Sequence, residues 1–193
     1  MLSANATPVA EAGSEQLGVV PTGTVTLDGT ASKFASAYSW AQASTDATKV
    51  TLRNPTTANP TFVVPASAQP LTFNFTLTIT DVNGTASTDT VKVVTDPGSV
   101  TVDSASYKRG NLEWRVRGTA KFCAAGNVMS VYWNSGASPV LLGTATPTLA
   151  LGVCDYDFRL KNVPTALRPT AAGTVTVKSA YGAESGAVAF LLQ

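Results

Sequence analysis

Cys123 and Cys154 are the only thiols in the chain, and there is no histidine at all. Without an imidazole, histidine-based general acid–base catalysis, proton relay and histidine metal ligation are excluded. A serine or cysteine nucleophile would have to borrow a lysine or a carboxylate as its base, and no Gly-x-Ser-x-Gly or Ser-x-x-Lys arrangement stands at a strand end. Phosphate-loop and glycine-rich dinucleotide motifs are missing too. One pair of carboxylates, Asp155 and Asp157, shares a strand face next to Cys154. A glycosidase pair faces across a cleft, whereas these two are flanked by Arg159 and Lys161 and read as partners in surface ion pairs. No catalytic residue is assigned, and the chain is not read as an enzyme.

The two cysteines fall in the second half of a chain that reads as secreted, which predicts one Cys123–Cys154 disulfide. Of the aromatics, alternation places Tyr38 and Trp40 together on a core face, Trp114 with Leu112 and Val116, and Trp133 with Met129 and Val131. Tyr132 falls opposite Trp133, and Tyr107 and Tyr181 lie near turns. These three tyrosines are the candidates for a carbohydrate-binding platform. Asn5, Asn74 and Asn83 begin Asn-x-Ser/Thr sequons, and Asn74 points outward from its strand.

Composition decides what positions these residues. Only 13% of the 193 residues are charged while 44% are hydrophobic, about half the usual charge content, with Thr, Ser, Ala and Gly in its place. Abundant Thr and Val favour strands. Before Pro97 there are four basic and seven acidic side chains, a net charge of −3; after it, nine and five give +4. Neither half carries enough charge for nucleic acid. Lys108, Arg109, Arg115, Arg117 and Lys121 fall in one stretch, but Glu113 interrupts them and the pattern reads as a solvated strand face. No apolar run approaches the length of a membrane span, so no membrane insertion is expected. Met1 to Asn5 has neither a basic nor an apolar leader region. The expectation is a piece of an exported protein whose signal lies elsewhere.

Thr72 to Thr80 alternates without an error: Phe73, Phe75, Leu77 and Ile79 on one side, polar residues on the other. Asp81-Val82-Asn83-Gly84 then predicts a tight Asn-Gly hairpin turn into Ser87 to Thr95, with Val91 and Val93 inward. Thr24 to Leu27, Ala37 to Gln42, Lys49 to Leu52 and Thr61 to Val64 read as short strands at sandwich spacing. After the Asp96-Pro97-Gly98 turn signal, strands are expected at Val100 to Val102, Leu112 to Thr119, Val128 to Trp133, Val140 to Gly143, Tyr156 to Lys161, Thr174 to Ser179 and Gly186 to Leu192. In the second of these Leu112, Trp114 and Val116 point inward against Glu113, Arg115 and Arg117. The predicted fold is all-β: a sandwich over residues 1–95, a linker at 96–99, and a second sandwich of about seven strands over 100–193.

Pro8 to Gly13, Val25 to Ser32, Tyr38-Ser39-Trp40, Thr61 to Pro65 and Leu77 to Gly84 occur in an order and spacing that resemble the PKD domain. That resemblance implies an immunoglobulin-like sandwich in the first half. It departs at Trp40-Ala41-Gln42-Ala43-Ser44, where the best-known PKD pattern has an acidic, glycine-rich run. The second half looks generically immunoglobulin-like. Its cysteines lie too close in sequence for the usual bridge between sheets, so a local staple is expected. Calcium is the one metal worth weighing, because extracellular sandwiches bind it at loops rich in Asp and Asn. The residues that the resemblance offers are Asp28, Asp81 and Asn83, the last two doubling as turn formers. No other cofactor is implied. The expected role is a non-catalytic extracellular spacer or adhesive pair within a larger secreted or surface protein, its partner a protein or polysaccharide surface. The alternative is a carbohydrate-binding accessory module of a polysaccharide-degrading enzyme.

Overall fold

The computed structural model describes residues 7–124, 126–136 and 138–193. The chain divides into two units, one closing at Asp96 and the other opening at Pro97, with Ala66–Gln69 grouped with the second.

In the first unit the long alternating segment becomes β5 (Thr72–Thr80), antiparallel to β6 (Ala86–Thr95) with Thr72 opposite Val94 and Thr80 opposite Ala86. On the far side of β5 lies β3 (Ala37–Gln42), and β1 (Gln16–Val19) runs parallel to β6. The second layer is the β2 (Thr24–Thr26) and β4 (Thr61–Val63) pair, to which Arg53 adds a single bridge opposite Thr61. Phe73, Phe75, Leu77 and Ile79 are fully buried against Phe62, Val64, Leu27 and Trp40. Residues 49–52 are not a regular strand. The N–H of Val50 donates to the Gln42 side chain rather than to a neighbouring backbone, although Val50 and Leu52 still pack on the core while Lys49, Thr51 and Arg53 stay exposed. The Asn-Gly turn is also wider than a two-residue one. The Asp81 N–H closes it on Thr85, and only Gly84 (φ 84°) takes the left-handed region.

The second unit packs two sheets. One runs β11 (Thr148–Ala150), β12 (Val153–Leu160), β8 (Glu113–Ala120), β7 (Ser104–Lys108), β15 (Leu191–Leu192); the other runs β10 (Val140–Ala145), β9 (Met129–Asn134), β13 (Thr174–Ser179), β14 (Val188–Ala189). The expected last strand is thus two short ones in different sheets, separated by Phe190, which drops into the core. There its ring meets Trp114 edge-on at 4.7 Å between centroids, and the Trp114 Nε1–H donates to the Leu167 carbonyl at 2.9 Å. Leu167 ends a 3-10 turn, Thr165–Leu167. Instead of a regular strand at 100–102, Val100 makes one bridge to Ala120. Leu112 stands just outside β8 with φ 46°, so the strand begins at Glu113.

Gly118 fixes the closest approach in this unit. A Cβ there would lie 2.0 Å from the Thr101 carbonyl oxygen and 2.5 Å from the Tyr156 hydroxyl. With no side chain on Gly118, the Tyr156 O–H reaches across to donate to Thr101 at 2.5 Å.

Trp40 is 4% exposed and its Nε1–H donates to Thr57 at 3.2 Å. Replacing it with alanine is expected to cost about 3 to 5 kcal/mol, the range for deleting a buried large aromatic. Denaturant unfolding followed on the first unit measures this, and a loss below about 1 kcal/mol would contradict the packing described.

Candidate functional site

The outer face of β8 and β12 gathers charge because alternation sends every second residue there. Asp157 stands opposite Arg117 and accepts from Arg115 Nη2 at 2.7 Å and Arg117 Nε at 3.3 Å. One step along, Arg159 donates to Glu113 at 2.7 Å and 3.3 Å, crossing the strands diagonally and keeping clear of the Arg115 directly opposite it. Asp157 therefore forms the surface ion pairs expected of it. Glu113, expected to point freely outward, has a side chain only 9% exposed, because Arg159 folds over it. That hydrogen bond holds its carboxyl below the usual glutamate range.

Beside the ladder lies an open cleft of about 510 Å³. Arg117, Asp155, Asp157, Asp103, Ser104 and Thr148 line it, with Tyr156 and Gly118 at its base. Asp155 makes no ion pair among the described residues. Burial, with the nearby Asp103 charge, pushes the Tyr156 hydroxyl above its ordinary range, so it remains a neutral donor to Thr101. Carboxylates, a guanidinium and hydroxyls suit recognition of polar groups. Asp103, Ser104 and Thr148 have no counterpart among the sequence candidates, because Ser104-Ala-Ser-Tyr-Lys and Thr148-Leu-Ala offer too little contrast to mark a strand.

Cys123 and Cys154 are joined, with their Cα atoms 5.4 Å apart. Cys154 lies on β12 opposite Ala120 at the end of β8, and Cys123 follows that end by three residues. The bond ties neighbouring strands of one sheet, a local staple rather than a bridge between sheets. Cys154 lies within the β11–β12 hairpin, opposite Leu149, and the hairpin exposes Leu149, Leu151 and Val153.

The calcium candidates are committed to local backbone. Asp28 Oδ1 accepts from the Thr30 N–H and hydroxyl at 2.9 and 2.6 Å, which hold its carboxyl low. Asp81 Oδ1 accepts from the N–H groups of Asn83 and Thr85, both at 2.8 Å, and Asn83 Nδ2 turns back to Asp81 at 3.4 Å. Among the described residues no group of three or more acidic, Cys or His side chains is placed to hold a metal. A different carboxylate, Asp46, binds the first unit together: it accepts from Gln42 Nε2 and from the Asn74 N–H and Nδ2, each at 2.8 Å. Burial pushes its carboxyl up, but those bonds and the Lys49 charge outweigh burial and hold it below the ordinary value of 3.8. Asn74 points outward from its strand as expected, with its amide engaged by Asp46. Asn5 and the leader reading of Met1 to Asn5 lie outside the described residues.

Two of the three candidate sugar-stacking tyrosines are not surface residues. Tyr107 is 1% exposed, because Ser104–Lys108 is a strand rather than a turn and its ring packs 5.2 Å from Trp114. Tyr181 does follow a strand, yet it is 6% exposed with Phe122 at 6.1 Å. Tyr132 is half-buried, and the Lys178 ammonium lies 5.9 Å from its ring centroid.

The sheets define tandem immunoglobulin-like sandwiches. Residues 12–95 match the family model of the K319L-like PKD domain, and this segment is PKD-like. No curated protein matches the chain. Similar solved structures include a nucleoside hydrolase-related hypothetical protein from Saccharophagus degradans associated with carbohydrate metabolism, at 22% identity and a TM-score of 0.37. That match covers 47% of this chain and 26% of the other, so the chain spans about a quarter of that relative's length. The teleost fish polymeric Ig receptor ectodomain is 10% identical over 96% of this chain and 98% of its own, TM-score 0.33. Sidekick-1 immunoglobulin domains 1–5 are 11% identical over 97% and 39%, TM-score 0.44. No residue role is carried over from any of them.

Two stability predictions follow from these contacts. Reducing the Cys123–Cys154 bond, which closes a separation of 31 residues, should destabilise the second unit by about 3 to 4 kcal/mol in the chain-entropy model, seen as a lower melting temperature with reductant. A carboxyl whose folded pKa lies below its unfolded one stabilises the fold fully above the unfolded value and loses that contribution as pH falls through the folded value. Asp46 is such a group. Stability of the first unit should therefore decline as pH falls below about 4. In urea titrations Asp46→Asn should be less stable at neutral pH and show a shallower acid decline.

Proposed function

We propose that the chain is a non-catalytic pair of extracellular modules that space, present or connect other domains of a larger secreted or surface protein. The observation that carries this reading is the tandem itself: a PKD-like segment followed by a second sandwich closed by a disulfide. Such bonds persist in oxidising compartments. Much of the charged surface is spent on pairing within strand faces, as in Lys92–Glu15, Lys178–Glu184 and the Asp157 and Glu113 ladder. This supports partners met as surfaces, protein or polysaccharide, rather than a small substrate.

One observation supports the accessory-module alternative in a changed form. With Tyr107 and Tyr181 buried, sugar recognition would rest on hydroxyl contacts in the Asp155 cleft rather than on stacking. Incubating the oxidised chain with glycoside, ester and peptide substrates, alongside pull-down on insoluble neutral polysaccharides, separates the readings. The spacer reading expects no turnover and no retention. Turnover abolished by Asp155→Asn would make the chain an enzyme, and retention on one polysaccharide abolished by Asp155→Ala would make it an accessory module.

A further inference from the structure

The first unit is acidic, with four basic side chains against seven acidic ones. Its cations are unevenly spent. Lys92 is paired with Glu15. Lys49 and Arg53 form no ion pair among the described residues, and both line one open groove of about 380 Å³ with Thr51, Val50, Val63 and Pro65. Asp46 feels the Lys49 charge, but its oxygens are occupied by Gln42 and Asn74. Lys49 Nζ donates to the Ala43 carbonyl, which leaves further N–H donors on the same ammonium.

The groove lies on the outer face of the small sheet. Arg53 stands opposite Thr61, which stands opposite Thr26, and Val63 stands opposite Thr24. Phe62 and Val64 alternate into the core, so Val63, half exposed, faces outward with the threonines. The surface therefore combines threonine hydroxyls, the aliphatic Val63 and Pro65, and two cations. Lys49, Thr51 and Arg53 are exposed at alternate positions while Val50 and Leu52 pack on the core, so the segment runs extended although it is not a regular strand, and its span is about 13 Å at strand rise. That spacing sets the two cations apart along the strip rather than in one cluster. It fits a chain that carries carboxylates at intervals along its length.

We propose that this strip is a docking site for an acidic polysaccharide, its uronate carboxylates met by Lys49 and Arg53 and its ring faces laid over Val63 and Pro65. This deepens the reading of the chain as a surface-binding module and names the partner's chemistry. The N–H and C=O of Arg53 are used by Thr61, and the N–H of Val50 by Gln42, which leaves fewer main-chain groups for a peptide added as an extra strand. Recognition therefore rests mainly on side chains. Because the rest of the unit is acidic, attraction is confined to about a Debye length, roughly 8 Å at physiological ionic strength, so binding is weak per site and steeply salt-dependent.

The test is affinity electrophoresis of the intact, oxidised chain in gels containing polygalacturonate, a neutral glucan, or poly-glutamate. Retardation by polygalacturonate alone is expected. The double variant Lys49→Gln/Arg53→Gln should weaken it by about fivefold or more, and about 0.5 M salt should abolish it. Lys33→Gln, which removes one positive charge elsewhere in the unit, should leave it largely intact, whereas each single groove variant, Lys49→Gln or Arg53→Gln, should weaken it. Both groove side chains are exposed, so thermal melting of the double variant should stay near that of the parent. No retardation, or retardation equal in parent and double variant, overturns the proposal. So does stronger retardation by poly-glutamate, which would make an acidic peptide the occupant. None of these results bears on turnover, so the non-catalytic reading stands or falls separately.

Discussion

A strand turns alternate side chains to opposite sides, and in a sandwich one of those sides must be dry. That constraint organises both units. On β5 it commits Phe73, Phe75, Leu77 and Ile79 to complete burial. On β8 it sends Trp114 and Val116 inward and leaves Arg115 and Arg117 with no choice but the outer face, where Asp157 from the neighbouring strand meets them. With so few charged residues, those that remain are arranged rather than scattered, and the chemistry of the surface is decided by which of them find partners.

Several polar groups that the pattern leaves inside find partners close by. Asp46 gathers Gln42 and Asn74, Asp81 gathers its own turn, and Tyr156 reaches Thr101 over the bare backbone of Gly118. Each replaces a stretch of ladder that the sequence does not supply. Asp28 and Asp81, with Asn83, each anchor a turn in this way.

What could be read from the sequence follows the strength of alternation. β5, β3 and β13 fall at the expected residues, because Phe, Leu, Ile, Trp and Val alternate there with Ser, Thr, Asn and Lys. The PKD resemblance and the disulfide were legible for a similar reason, each resting on distinctive residues. β1, β7 and β11 were not: Gln-Leu-Gly-Val, Ser-Ala-Ser-Tyr-Lys and Thr-Leu-Ala carry little contrast, and β1 pairs parallel through a glycine with φ 71°. Tyr107 was misplaced along with its strand. Glu113 shows a different limit, since alternation gives the direction of a side chain but not that Arg159 will cover it. The cleft beside Asp155 joins residues more than forty positions apart, which no local pattern announces.

The position of the disulfide also determines how the second unit would yield under tension. Cys123 and Cys154 are 31 positions apart, so the segment between them cannot be drawn out while the bond is closed. At about 3.3 to 3.6 Å per extended residue, roughly 100 Å of chain is withheld. An oxidised unit that has lost its sheets would still stop short of its full contour, and reduction would release that slack. The staple thus sets a limit on extension that is separate from its contribution to folding.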